Sequence, residues 1–460
     1  MRGIFGSFAG SAIARSAMAV ALATGVAAGG MTLGVTAAAA KEKAPKPPKP
    51  GEYSKAFVAA AGPLQATLTA IDPIQKKLKA ATTPEAKAAA QAELKAAAAN
   101  APAQYTAALA AATNPQDRFT IGNWGLSIGV IFNDSKMQQQ GIQLMLDSGQ
   151  VPAANQNEYK FYLGNLAYNN SDHATAQRAL SEVVAANYAD DSAAELLADS
   201  YSRSGQPAQG LDALKAAVET RRAAGGKVPE NWYSRANTIA YSAKLGPQAI
   251  EWSRMMASDY PSDLSWLAAG QLVREFGTFS NQESLDLGRF LIRSGGLKND
   301  PKFVEREYIE YIEASSKTGL PGEVVKVTNA GVAAGMLQKS DPFVADALRE
   351  GSAAAARDRA ALAADEKAAR AGADGKTALS TGDSYLSFDQ PAKAEEMFAM
   401  AVQKGGIDKD RALTRLGIAQ VDQGKFADAK ATFAQIGGAR ADLAKLWWAY
   451  ADSEAKAAGQ

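Results

Sequence analysis

The sequence predicts an all-α protein built as a solenoid of helix hairpins, and three observations predict it. Alanine and other strong helix formers dominate, while β-branched residues are sparse outside short patches. The chain has 460 residues, too many for one ordinary core and suited to several units or an extended array. From about residue 117 small and aromatic residues recur with a period near 34–36 residues, the mark of stacked helical repeats.

The first element, 1–40, reads as an export signal. Arg2 and Arg15 are its only charges, 17–40 carries none, and it ends in Thr36 followed by four alanines. A positive start, an apolar middle and a small-residue end fit a secretory signal peptide cleaved near Ala38 or Ala40, which places the mature chain in the periplasm. The uncharged run is also long enough, at about 24 residues, to span a bilayer, so an uncleaved N-terminal membrane anchor is the alternative. No adjacent arginine pair marks the twin-arginine route.

Residues 41–51 form a linker. Its KEKAPKPPKP run, with four prolines and four lysines, can build neither helix nor core. It reads as an extended solvated tether, and its charge also suits peripheral contact with an anionic envelope surface. Residues 52–116 then read as an alanine-rich helical hairpin. Phe57, Leu64, Ile71 and Leu78 recur every seven residues, with Leu68 and Ile74 beside them, and Pro84-Glu85 opens a second helix that Pro102 interrupts. Pro63 and Pro73 inside the stripe favour a hairpin capping the array over an oligomerising coil.

The repeats occupy 117–261 and 375–438. The clearest is 415–436, RLGIAQVDQGKFADAKATFAQI, with Leu416-Gly417, Gly424, Phe426, Ala429 and Phe433. Gly417 and Ala429 let two helices approach, Gly424 makes the turn, and Phe426 and Phe433 fill the space between helices. Gly382, Tyr385, Ala394 and Phe398 repeat the pattern one period earlier. Near the front, Leu163-Gly164, Ala176 and Leu180 are followed by Leu197-Ala198, Tyr201, Gly205 and Leu214. Gly129 with Gly141, and Asn237 with Ala249, give two fainter units. This pattern resembles the tetratricopeptide repeat (TPR) family. The resemblance implies a right-handed α-solenoid of TPR-like hairpins and a protein-binding function.

Between Asn237 and Gly382 there is room for three decayed units, and 262–374 reads as divergent helical repeats. Helix pairs are expected around Trp266/Phe290, Tyr308/Val325 and Phe343/Leu362. In 439–460, Leu443, Leu446, Trp447 and Tyr450 form an amphipathic stripe that suits a C-terminal capping helix.

Chemistry is sparse. The absence of cysteine excludes disulfides, thiolate metal sites and cysteine nucleophiles. His173 is the only histidine and has no evident co-ligand, so it reads as a packed residue, with no cofactor and no metal expected. Glu283-Ser284 matches two residues of the lytic transglycosylase pattern without the surrounding domain, so Glu283 reads as a solvated helix residue. GNWGLSIG at 122–129 lacks the residues of a phosphate loop and reads as tight helix packing. Without Arg2 and Arg15, the 49 basic residues become 47 against 48 acidic ones, a balance that gives no case for nucleic acid.

The expected partners are proteins or peptides. Carrying the family's groove positions over residue by residue implies a concave binding face at Asn165, Tyr168 and Asn169, then Asp199 and Arg203, then Thr238 and Tyr241, with Phe161 and Glu195 alongside. Asn165 matches one asparagine of the family's carboxylate clamp. Phe161 and Leu196 replace its lysine and second asparagine, so clamp-type binding is not implied. The function expected is a non-catalytic periplasmic scaffold of the cell envelope. The alternatives are a division coordinator of the Tol-Pal-associated type and a regulatory subunit of a cell-wall hydrolase.

Overall fold

The computed structural model describes residues 53–188 and 191–460, together with the backbone of two short antiparallel strands, Thr24–Ala27 (β1) and Gly30–Leu33 (β2). The export segment and the linker otherwise lie outside the described residues. The rest is helical, and no helix of the described residues is long and apolar enough to cross a membrane. The chain divides into two units, one ending at Trp232 and one running from Tyr233 to Gln460.

In the N-terminal unit, α1 spans Lys55–Ala80, α2 Pro84–Ala97 and α3 Ala101–Ala110. Ser54 starts α1 by accepting the Phe57 amide at 3.2 Å, and Thr83 does the same for α2 ahead of Pro84. The chain read as one interrupted helix after Pro84 is thus two, α2 and α3. Pro63 and Pro73 sit inside α1 without ending it. The seven-residue stripe is an internal core: Phe57, Leu64 and Ile71 are buried against Leu94, Tyr105, Trp124 and Ile128.

Helices α4 (Pro115–Phe132) and α5 (Ser135–Asp147) follow. The glycines of 122–129 do pack helices closely. A Cβ on Gly122 would meet the Gly141 carbonyl at 2.6 Å, and one on Gly125 would meet the Tyr105 hydroxyl at 2.7 Å and its ring at 2.8 Å. Two hairpins complete the unit: α6 (Gln156–Asn169) with α7 (His173–Ala185), and α8 (Ser192–Arg203) with α9 (Pro207–Ala223). His173 opens α7 and lies edge-on to Tyr168, with ring centroids 6.4 Å apart.

Helix α10 (Glu230–Ser242) carries the boundary between the two units. The C-terminal unit continues with α11 (Gly246–Asp259), α12 (Asp263–Phe276), α13 (Asn281–Arg293), α14 (Pro301–Lys317), α15 (Pro321–Ala333) and α16 (Pro342–Ala371). It ends with α17 (Lys376–Ser387), α18 (Pro391–Lys404), α19 (Lys409–Val421), α20 (Phe426–Phe433) and α21 (Ala441–Ala457).

One packing rule recurs in both units. A Cβ on Gly164 would meet Leu180 at 2.5 Å, one on Gly382 would meet Phe398 at 2.6 Å, and Gly417 is covered in the same way by Phe433. In each hairpin the second helix places a large side chain against a bare backbone on the first. These contacts make the chain an all-α solenoid of TPR-like hairpins.

The divergent stretch departs from expectation at its end. Trp266/Phe290 and Tyr308/Val325 do belong to helix pairs, α12 with α13 and α14 with α15. Phe343 and Leu362, expected on two helices, lie on one 30-residue helix, α16. Residues 343–371 contain no proline and a single glycine, Gly351, which packs against Val324 and Val325 of α15. With no turn residue between them, the alanines continue the helix.

Helix α21 buries Leu443, Leu446 and Trp447 against α20, as a cap does, but it also touches α11, α12 and α13. Trp266 and Tyr450 meet edge to face at 5.7 Å between centroids, and Phe290 and Trp447 at 5.4 Å. The last helix of the C-terminal unit therefore meets α11, α12 and α13 near its start, and this unit closes on itself.

Candidate functional site

The first-helix face of the N-terminal unit brings part of the predicted surface together. On α6, spacing of three and four residues places Asn165, Tyr168 and Asn169 along one side. Asn169 donates its amide to Asn165 Oδ1 at 2.8 Å. On α8, Asp199 is largely buried and accepts the Arg203 Nε proton at 3.0 Å. The Tyr168 hydroxyl donates to the same carboxylate oxygen. The Arg203 guanidinium lies 5.1 Å from the centre of the Tyr168 ring. Asp199 thus ties the first helices of successive repeats together and holds Arg203 in one orientation. That hydrogen bond raises the Arg203 pKa above its ordinary value. The Arg203 side chain keeps 60% of its surface exposed. A fixed, exposed guanidinium is suited to pairing with a carboxylate.

Other predicted positions behave differently. Phe161 is buried in the core with Leu196 and Leu197, and Glu195 is also buried, so none of these lines an open face. The clamp positions Phe161 and Leu196 therefore face inward. Thr238 and Tyr241 belong to the C-terminal unit. There Thr238 donates its hydroxyl to the Ser234 carbonyl at 2.9 Å, and the Tyr241 ring lies edge-on to Phe276 at 6.1 Å.

The C-terminal unit contains a cluster that the sequence did not reveal. Asp286 on α13 is fully buried. Its carboxylate accepts from Arg440 at 2.7 Å and from Arg415 and Arg289 at 3.2 Å each. Arg289 is itself fully buried and makes a two-pronged pair with Glu323 on α15 at 2.8 and 2.6 Å. Tyr311 on α14 donates to the same Glu323 at 2.5 Å. Asp383 on α17 accepts from Arg289 at 3.3 Å and also from Arg415 on α19. One step outward, Arg293 grips Asp422 at 2.5 and 2.7 Å. The Arg293 carbonyl accepts from Tyr450 at 2.9 Å.

The electrostatics follow from this geometry. Burial pushes the Asp286 carboxyl up, but the charges of Arg415, Arg440 and Arg289 outweigh it and hold it below the usual carboxylate range. Burial and Arg289 act in the same opposition on Glu323, which also ends low. For Asp383 burial wins, and its pKa rises. Every member is paired, and the pairs join α13 to α15, α17, α19 and the residue preceding α21. The cluster binds the unit to itself and leaves the inner face filled by its own side chains.

Glu283, read from the sequence as solvated, belongs to the edge of this cluster. It closes a capping box with Ser280 and pairs with Arg440 at 2.7 Å. Burial raises its pKa, but the Ser280 hydrogen bond and the Arg440 charge outweigh burial and leave it low. A general acid needs the opposite shift. The signal for the cluster was present but ambiguous. Asp286 and Arg289 interrupt an otherwise apolar run, Leu285 to Leu291, a pattern equally common on a half-solvated helix.

No family model matches the chain, and no curated protein matches it. Among solved structures it resembles the TPR2AB-domain:pHSP90 complex of yeast Sti1, at 13% identity and a TM-score of 0.24, over 66% of this chain and 97% of that one. It also resembles the human IFIT1 dimer with m7Gppp-AAAA, at 13% identity and a TM-score of 0.21, over 82% and 87%. The TPR-like fold is read from this chain's own hairpins and glycine contacts, and nothing about binding follows from these likenesses.

Proposed function

We propose that this protein is an exported, non-catalytic scaffold of the cell envelope that binds extended peptides or proteins through the first-helix face of its N-terminal unit. The observation that carries the reading is the joined row on α6 and α8. Asn165, Tyr168, Asn169 and Arg203 present amide, aromatic and guanidinium groups, and Asp199 fixes two of them in advance. Preorganised groups lose less entropy on binding than free ones. Asn165 can both donate and accept towards a peptide backbone, and Arg203 can take a carboxylate.

Replacing Asn165 and Arg203 together by alanine should weaken capture of partners crosslinked in intact cells and leave helicity unchanged. Each exposed contact contributes about 1 kcal/mol and a desolvated one more. Undiminished capture by the folded double variant would move the binding face elsewhere.

Export and periplasmic residence rest on the charge-free run before Lys41. Sequencing the N-terminus of the protein recovered from the periplasm should give a start near Lys41. A start at Met1 would instead support the membrane-anchored alternative.

A further inference from the structure

Along α16 lies a cleft of about 550 Å³, bordered by the end of α14 and the start of α15. Its floor is apolar: Ile312, Leu320 and Val324 are buried beneath it. Phe343 stands at one end, with 36% of its surface exposed. Down the α16 side run Ala347, Gly351 and Ala354, small residues one helical turn apart. The rim is acidic. Glu313, Asp346, Glu350 and Asp358 border the cleft and outnumber the cations beside them: Lys317 pairs with Glu313 at 3.0 Å, and Arg349 pairs with Asp346 at 2.6 Å and with Glu350 at 3.2 Å. From Phe343 to Asp358 the stripe runs about 22 Å at 1.5 Å per residue, roughly four helical turns.

This is also the place where the repeat fails. The repeat spacing allots two helices to the stretch that α16 crosses alone, and of its 30 residues only Val344, Gly351, Leu362 and Ala369 are buried. The small residues would let another helix approach at ordinary packing distance, and the apolar floor would take its large side chains. The carboxylates reject an acidic partner and favour a basic one, because like charges across an interface are costly and opposite ones steer encounter.

We propose that this cleft is a docking groove for an amphipathic helix of another protein, about four turns long, with one apolar face flanked by lysine or arginine. The helix would lie along α16 with its apolar side chains over Ile312, Leu320 and Val324, and its cations beside Asp346, Glu350 and Asp358. The inference stands apart from the face on α6 and α8 and holds whether or not that face binds.

The test uses the full chain and a labelled synthetic peptide of about 16 residues, leucine on one helical face and lysine elsewhere, followed by fluorescence anisotropy. The peptide should bind, and its affinity should fall as salt rises. Ala354→Trp, which fills the groove, should weaken it by about tenfold or more, as should the combined Asp346→Lys, Glu350→Lys and Asp358→Lys variant. The same peptide with glutamate for lysine should bind at least about tenfold more weakly. The Asn165→Ala, Arg203→Ala variant should bind the peptide as the parent does, which separates this groove from the other face. Circular dichroism confirms that the variants stay helical, and the exposed charge variant keeps the test open if the tryptophan does not fold. Equal binding of a scrambled peptide with no apolar face would overturn the proposal. So would full binding by both folded groove variants. Tighter competition by a peptide of the chain's own 41–51 segment would overturn it too, by showing that the groove prefers an extended chain.

Discussion

Asp286→Ala should destabilise the C-terminal unit by about 3–5 kcal/mol, the cost of leaving buried charges without their partner. Three guanidinium groups, those of Arg289, Arg415 and Arg440, converge on this carboxylate, which has no exposed surface. Removing it leaves like charges facing one another where water cannot reach them. The same residue's carbonyl accepts from Trp447 at 3.3 Å, so loosening α13 should disturb the seam with α21 as well. Denaturant titration followed by tryptophan fluorescence reads this directly, because Trp266 and Trp447 sit at the closure. A loss below about 1 kcal/mol would mean that the aromatic seam alone holds the unit shut and the ionic cluster adds little. Buried ion pairs stabilise weakly against an apolar replacement but break expensively, so the single deletion is the informative variant.

Gly288→Leu should cost a similar amount, about 3–5 kcal/mol, by a different route. A Cβ at Gly288 would run into the Tyr311 ring. That ring is not free to swing away, because its hydroxyl donates to Glu323, which is paired with Arg289. Overpacking therefore takes the charge network with it, adding the loss of a hydrogen bond to a buried carboxylate. Near-UV circular dichroism across a thermal melt should show aromatic packing lost well below the parent's transition. Gly417→Leu meets the Phe433 ring in the same way, a ring that carries no hydroxyl tied to a carboxylate, and serves as the comparison for simple overpacking. Equal melting of the two variants would show that Tyr311 carries no coupling to the cluster.

What the sequence determined by itself is the local grammar of the molecule. Gly164, Gly382 and Gly417 name the sites where hairpin helices touch, because a TPR-like hairpin closes over a short stretch of chain and its size pattern repeats with the period. Asn165, Tyr168 and Asn169 fall on one side of α6 because residues three and four apart share a helix face, and that is legible without coordinates. The buried state of Phe161 was not legible: groove position in a repeat states which way a residue points on average, not what the next helix lays over it. Tertiary structure alone decided the closure of the C-terminal unit. Asp286 meets Arg415 and Arg440 at sequence separations of 129 and 154, and no periodicity links positions so far apart. A charged residue in an amphipathic helix is read as facing water unless its partner is known, since charges are buried only when paired. The single helix α16 is the remaining case. Its alanines satisfy helix propensity with or without a break, and only the packing of Gly351 on Val324 and Val325 decides that the helix runs on and leaves an acidic groove beside it.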